Sequence, residues 1–261
     1  MKKILSLTLT LIMILALGSQ VFAGSDSALV YVTICDQNAN NVIVREAITV
    51  TDTDSDGKLT VNDALFCAHE AKYTGGAAAG YATELTAYGI SMVKLWGHAN
   101  GGAYGYFINN NSAMSLSDTV KDGDLVNAYV YRDLVTWSDT FCYFDKSCAD
   151  VKAGEKLTLK LFASGFDANF MPVTTPVSGA AILINGKDSG LVTDINGCVT
   201  LELASEGDYL IEASSTAMTM VTPACVVSVS NASANTGDTT ALALISSVCA
   251  LFAHFLRWQS L

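Results

Sequence analysis

Four aspartates fall within twelve residues of this 261-residue chain: Asp52, Asp54, Asp56 and Asp63, in the run DTDSDGKLTVND. Carboxylates at loop positions 1, 3, 5 and 12, a glycine at 6 (Gly57), a main-chain carbonyl at 7 (Lys58) and a hydroxyl at 9 (Thr60) make up the donor pattern of a twelve-residue calcium loop. Carboxylates this close repel one another, and a divalent cation held at about 2.3–2.6 Å from the oxygens offsets the repulsion. The spacing therefore implies calcium as the bound ion, with Asp52, Asp54, Asp56, Lys58, Thr60 and Asp63 as its ligands. Position 8, Leu59, is expected to pack into the core of its own domain.

The other reactive residue types form no catalytic set. His69-Glu70 opens like a zinc-protease helix, but Tyr73 stands where the second histidine is required. Cys67 and His69 are two apart on one short helix and point in different directions. His98 has no serine or cysteine nucleophile in a recognisable frame, and there is no CxxC pair for zinc. The chain reads as non-enzymatic. Trp96, Tyr104 and Tyr106 form an aromatic group that could line a ligand platform, although the same residues would serve as the core of a small β domain.

The elements that carry these residues can be read from periodicity. Ser27 to Ile34 and Asn41 to Val50 are rich in Val, Ile and Tyr and read as a hairpin turned by Asp36 to Asn40. Thr60 can cap a helix whose apolar positions Val61, Ala64, Leu65 and Ala68 recur at helical spacing, with Asp63 closing the capping box, so one carboxylate serves metal and helix start together. Gly75-Gly76 supplies the stop. Strands follow at Ile90 to Trp96, Tyr104 to Asn109 and Leu125 to Arg132, the last fed by the turn Lys121-Asp122-Gly123-Asp124. Beyond Asp150 the pattern is strict alternation, as in Leu157, Leu159 and Leu161 or Val199, Leu201 and Leu203, with hairpin signals at Asn185-Gly186 and Asn196-Gly197. Further strands are expected at Tyr209 to Ala213 and Val226 to Val229.

The two ends read as processing segments. Lys2 and Lys3, the apolar run Ile4 to Leu17 and the small-residue exit at Ala23 make residues 1–23 a secretory signal peptide. The apolar stretch Ala241 to Leu256, closed by Arg257, is shorter than the roughly twenty residues that span a bilayer. The net charge of −11 becomes about −13 once Lys2, Lys3, Arg257 and Asp238 are removed with these ends, and this repels phosphate backbones, so nucleic acid is not expected as a partner. Six cysteines lie between the ends: Cys35, Cys67, Cys142, Cys148, Cys198 and Cys225. They permit either disulfides, with Cys142–Cys148 and Cys198–Cys225 as the within-domain pairs, or buried free thiols.

Several of these motifs resemble known families. The Trp96 strand, the GYFINN segment and the Asp122-Gly123-Asp124 turn resemble extracellular β-grasp domains related to the C-terminal β domain of transcobalamin. The acidic loop resembles a dockerin calcium loop, although dockerins carry two such loops and one is found here. The TDINGCVTL and GDYLIEA stretches resemble the immunoglobulin-like sandwiches of bacterial surface proteins. Ser233-Ala234-Asn235-Thr236-Gly237, followed by an apolar tail, resembles a Gram-positive sorting signal cut by sortase between Thr236 and Gly237, with Ser-Ala in place of the usual Leu-Pro. A tail retained as a membrane anchor is the other reading.

The expected organisation is an α+β β-grasp-like domain over 24–150, an all-β immunoglobulin-like sandwich over 151–230, and a polar stalk, sorting motif and hydrophobic tail over 231–261. The resemblances imply a calcium-stabilised protein held at the cell wall or membrane surface for adhesion or for capture of an extracellular protein, glycan or small molecule. A carrier for a corrinoid-like nutrient and an accessory module of a carbohydrate-active enzyme assembly are the alternatives.

Overall fold

The computed structural model describes residues 27–231. The leader 1–23, the Thr236-Gly237 motif, Cys249 and the apolar tail lie outside the described residues. Among those described, no helix is long and apolar enough to cross a membrane.

The first half contains β1 (Ser27–Cys35), β2 (Asn41–Thr51), α1 (Val61–Lys72), α2 (Gly76–Gly80), β3 (Ala82–Thr86), β4 (Gly89–Lys94), β5 (Tyr104–Ile108), β6 (Asn111–Ser112) and β7 (Leu125–Val130). Asp36 turns the opening hairpin: its Oδ1 accepts the main-chain N–H groups of Asn38 and Asn40 at 2.8 and 2.9 Å. Five strands form a mixed sheet in the order β2-β1-β7-β5-β6. Its central pair, β1 and β7, is parallel, with Val32 beside Val126 and Ile34 beside Ala128.

Because side chains alternate, Val30, Val32 and Ile34 face α1 while Tyr31, Thr33 and Cys35 face the other way. Val61, Ala64, Leu65 and Ala68, the apolar stripe expected of the helix, are all fully buried against the first set. Each large aliphatic group buried this way contributes about 1.5–3 kcal/mol before chain entropy is counted. Lys72 at the end of α1 forms an ion pair with the buried Glu46 of β2, fixing the helix across the sheet.

The expected strand through Trp96 ends earlier. Leu95 pairs with His98 across a tight turn in which Trp96 has φ +48°. Gly97 is required in that turn: its φ is +80°, and a Cβ there would lie 2.2 Å from the Tyr73 hydroxyl oxygen.

The second half contains β8 (Thr140–Phe144), β9 (Cys148–Lys152), β10 (Lys156–Phe166), β11 (Pro172–Pro176), β12 (Ala181–Ile184), β13 (Lys187–Val192), β14 (Cys198–Glu202), β15 (Gly207–Ser214), β16 (Met220–Val221) and β17 (Ala224–Ser230). One sheet runs β11-β10-β8-β16 with β14 also on β10, and the other runs β13-β12-β15-β17-β9. Their inward residues, among them Leu159, Leu161, Ile182, Leu201 and Ile211, form one core, so this half is a two-sheet β-sandwich. The molecule is predominantly β, as expected of its second half.

Three expectations need correction. The sandwich begins at Thr140 rather than after Asp150: β8 pairs with β10 and β9 with β17, and Cys142 and Phe144 sit in the sandwich core. Asn185-Gly186 does turn the β12–β13 hairpin, but Asn196-Gly197 joins strands of different sheets, because β14 pairs with β10 and not with β13. The cysteine pairs Cys142–Cys148 and Cys198–Cys225 do not form. All six described cysteines are free, and each proposed pair is divided between the two opposed sheets. Burial pushes the Cys35 thiol up to about 11 and those of Cys142 and Cys225 up to about 12, which keeps them protonated and inert.

Candidate metal centre

The acidic loop leaves the end of β2 and returns directly into α1, so a strand and a helix hold its two ends. Ligand oxygens of Asp52, Asp54 and Asp63 all lie within 4.8 Å of one another. The backbone brings them there by turning twice through the left-handed region, at Ser55 (φ +62°) and Gly57 (φ +82°). Asp52 is held from inside the turn: Gly57 N–H donates to its Oδ2 at 2.8 Å and Asp56 N–H to its Oδ1 at 3.2 Å. These main-chain donors, that of Gly57 above all, lower the Asp52 pKa and keep it ionised.

Asp54 behaves oppositely. Partial desolvation, then the charges of Asp63, Asp56 and Asp52, raise its pKa, as expected of a carboxylate placed among others without a counter-charge. Asn62 reaches it through Nδ2 at 3.4 Å, and the Asn62 Oδ1 accepts the Tyr81 hydroxyl at 3.0 Å.

Asp63 is fully buried and serves the helix as well as the loop. Its Oδ2 accepts Thr60 N–H at 3.0 Å and the Thr60 hydroxyl at 2.7 Å; its Oδ1 accepts Thr53 N–H at 2.8 Å and the Thr53 hydroxyl. The capping box read from the sequence is therefore present, and Asp63 ties both ends of the loop together.

Two of the expected ligands stand apart. Asp56 lies outside the close trio and its Oδ1 accepts Lys58 N–H at 2.9 Å. Thr60, only 2% exposed, spends its hydroxyl on the cap. Asp52, Asp54 and Asp63 stand close enough to share one divalent cation of the kind calcium is, while both Asp63 oxygens also accept hydrogen bonds from Thr53 and Thr60. Leu59 packs against the first core as expected, and its carbonyl accepts Val120 N–H at 2.8 Å, which braces the loop from the β6–β7 connection.

The three aromatic residues are half-buried. Trp96, Tyr104 and Tyr106 all pack against the first core. The Tyr104 hydroxyl lies 2.9 and 2.8 Å from the carbonyls of Val93 and His98 and accepts Asn100 N–H at 3.2 Å, so it fastens the loop between β4 and β5.

His69, which the sequence leaves without a catalytic partner, is held by structural ones. Its Nδ1 donates to the Leu65 carbonyl at 2.7 Å and its Nε2 accepts Trp96 N–H at 3.0 Å, while the ring stacks 5.0 Å from Tyr81. Both nitrogens are occupied in the neutral ring, and burial holds the pKa down to about 4. Leu65 lies one helical turn back, but the Trp96 N–H comes from a turn 27 residues away, a separation that helical spacing does not register.

No family model and no curated protein matches the chain. Among solved structures it is similar to the N-terminal four Ig domains of Dscam1: isoform 6.9 at 8% identity and TM-score 0.22, and isoform 8.4 at 9% identity and TM-score 0.23. In both cases 59% of this chain and 41% of that chain are covered, so the chain spans about two fifths of the length of these structures. The two-sheet architecture rests on the strand pairing described above.

Proposed function

We propose that this chain is a non-enzymatic, calcium-stabilised protein of the cell exterior, a β-grasp-like domain joined to an immunoglobulin-like sandwich and displayed for adhesion or ligand capture. The observation that carries the reading is the convergence of Asp52, Asp54 and Asp63 to within 4.8 Å in a loop already closed by main-chain donors. The strand order β2-β1-β7-β5-β6, with its parallel central pair and a helix entered from β2, supports the β-grasp part. All six described cysteines are free, so this part of the fold rests on its buried cores rather than on disulfides. Display rests on the leader and on the sorting motif at Thr236-Gly237, with sortase as the processing partner and the wall or membrane as the support.

Thermal melting with calcium and with chelator tests the clip. Calcium at a hundred times its dissociation constant stabilises the fold by about 2.7 kcal/mol. Asp54→Ala removes most of that increment, whereas a melting curve indifferent to chelator contradicts the reading.

A further inference from the structure

The sheet face turned away from α1 meets the sandwich, and a cavity lies between them. The apolar part of its lining is Tyr129, Phe141, Tyr143 and Val221 with their neighbours. The polar part falls in two rows fixed by strand register. Thr33 of β1 stands beside Asn127 of β7 and accepts Arg45 N–H of β2 at 2.9 Å, while Cys35 stands between Asn41 and Tyr129.

Two buried polar atoms in this lining have no partner: Asn41 Oδ1 and Asn127 Nδ2. Native proteins rarely leave such atoms unpaired, because each loses water without a replacement. The Asn41 amide is oriented by Glu212, whose Oε1 accepts its Nδ2 at 2.8 Å, so the unpaired atom is a true acceptor. Asn41 and Asn127 are two strands and two residues apart, more than about 10 Å between Cα atoms, too far for one water to serve both.

The lining has one charged side chain, Arg45, in a protein of net charge −11. Its guanidinium carbon lies 3.8 Å over the Tyr31 ring and its Nε donates to Ser147 Oγ of the sandwich at 3.3 Å, while its Nη groups make no bond among the described residues. Arg45 adopts φ +45°, a costly conformation for a residue with a side chain.

We infer that this interdomain cavity binds a small carboxylate that carries a hydrogen-bond donor next to it, the carboxylate taken by Arg45 and Asn127 Nδ2 and the donor by Asn41 Oδ1. A peptide C-terminus and a free 2-hydroxy acid share that chemistry. The site is on the face of the sheet opposite the helix, so it stands or falls independently of the calcium loop.

The test uses the whole protein with calcium present, titrated with N-acetylglycine, lactate and the uncharged N-acetylglycinamide, following the side-chain amide resonances of Asn41 and Asn127 by NMR. Saturation by N-acetylglycine or lactate below about 10 mM, with N-acetylglycinamide at least tenfold weaker, is the expected result. Response to N-acetylglycine alone identifies a peptide terminus, and response to lactate alone a free hydroxy acid. Arg45→Gln weakens binding at least tenfold, and the near-isosteric Asn127→Asp, which repels the carboxylate without changing volume, abolishes it. No saturation by either acid, or equal binding of N-acetylglycinamide, overturns the proposal and leaves a hydrated cavity.

Discussion

His69 shows how much of this protein's chemistry is structural. A buried imidazole with both nitrogens engaged stays neutral in the fold, while the unfolded chain takes up a proton below pH 6.5. Its contribution is complete above pH 6.5 and is lost as the pH falls from there toward about 4, amounting to about 3 kcal/mol. By NMR, the His69 ring is expected to titrate near pH 4; titration near 6.5 would show that the ring is open to solvent. The loop aspartates were legible because a metal loop is local, with every ligand inside twelve residues. Of the partners of His69, Leu65 lies one turn back on the same helix, whereas Trp96 and Tyr81 come from beyond it and leave no spacing to read. The apportioning of ligands within the loop was also hidden: Thr60 counts as a candidate by position, yet its hydroxyl belongs to the helix cap.

That cap separates two roles for α1. Thr60→Ala removes the hydroxyl that both accepts from Asp63 N–H and donates to Asp63 Oδ2, and it is expected to lower stability by about 1 kcal/mol. The increment gained on adding calcium is expected to survive in this variant, because the Thr60 hydroxyl is engaged in the cap. Urea unfolding with and without calcium measures both, and loss of the calcium increment would return Thr60 to the ligand set. The opening hairpin, α1 and strands β10, β14 and β15 were readable because their apolar residues recur at a regular period and their turns carry Asp, Asn or Gly. Strands β8 and β9 were not, since TFCYF and CADVK lack the strict alternation of β10 and β14, and Asp145-Lys146-Ser147 between them reads as a linker. The Asn196-Gly197 turn was legible as a turn, but nothing local says that the chain changes sheets there.

The two halves are joined by contacts that span both. Phe107 and Tyr129 of the first sheet stack on Phe141 of the sandwich, with the Phe107 and Phe141 ring centroids 3.8 Å apart. Arg132 donates through Nη2 to the Met220 carbonyl at 2.6 Å and pairs with the buried Asp139, while Thr222 Oγ1 donates to the Ala39 carbonyl at 2.7 Å. An aromatic seam with flanking polar bonds makes the halves one cooperative unit, so a single calorimetric transition is expected. Phe141→Ala removes the central ring, costs about 3 kcal/mol and separates the transition into two. An unchanged single transition in that variant would show that the seam does not couple the halves. No periodicity in either half announces this seam, because it lies on the sheet face that sequence alternation marks only as mixed.

Calorimetric titration of calcium into metal-stripped protein tests most directly whether Asp52, Asp54 and Asp63 form a metal clip. The expected result is a single ion per chain, bound with a dissociation constant of about 10⁻⁴ M or tighter and lost in Asp54→Ala. Absence of any binding heat at millimolar calcium in the unmutated protein would contradict it.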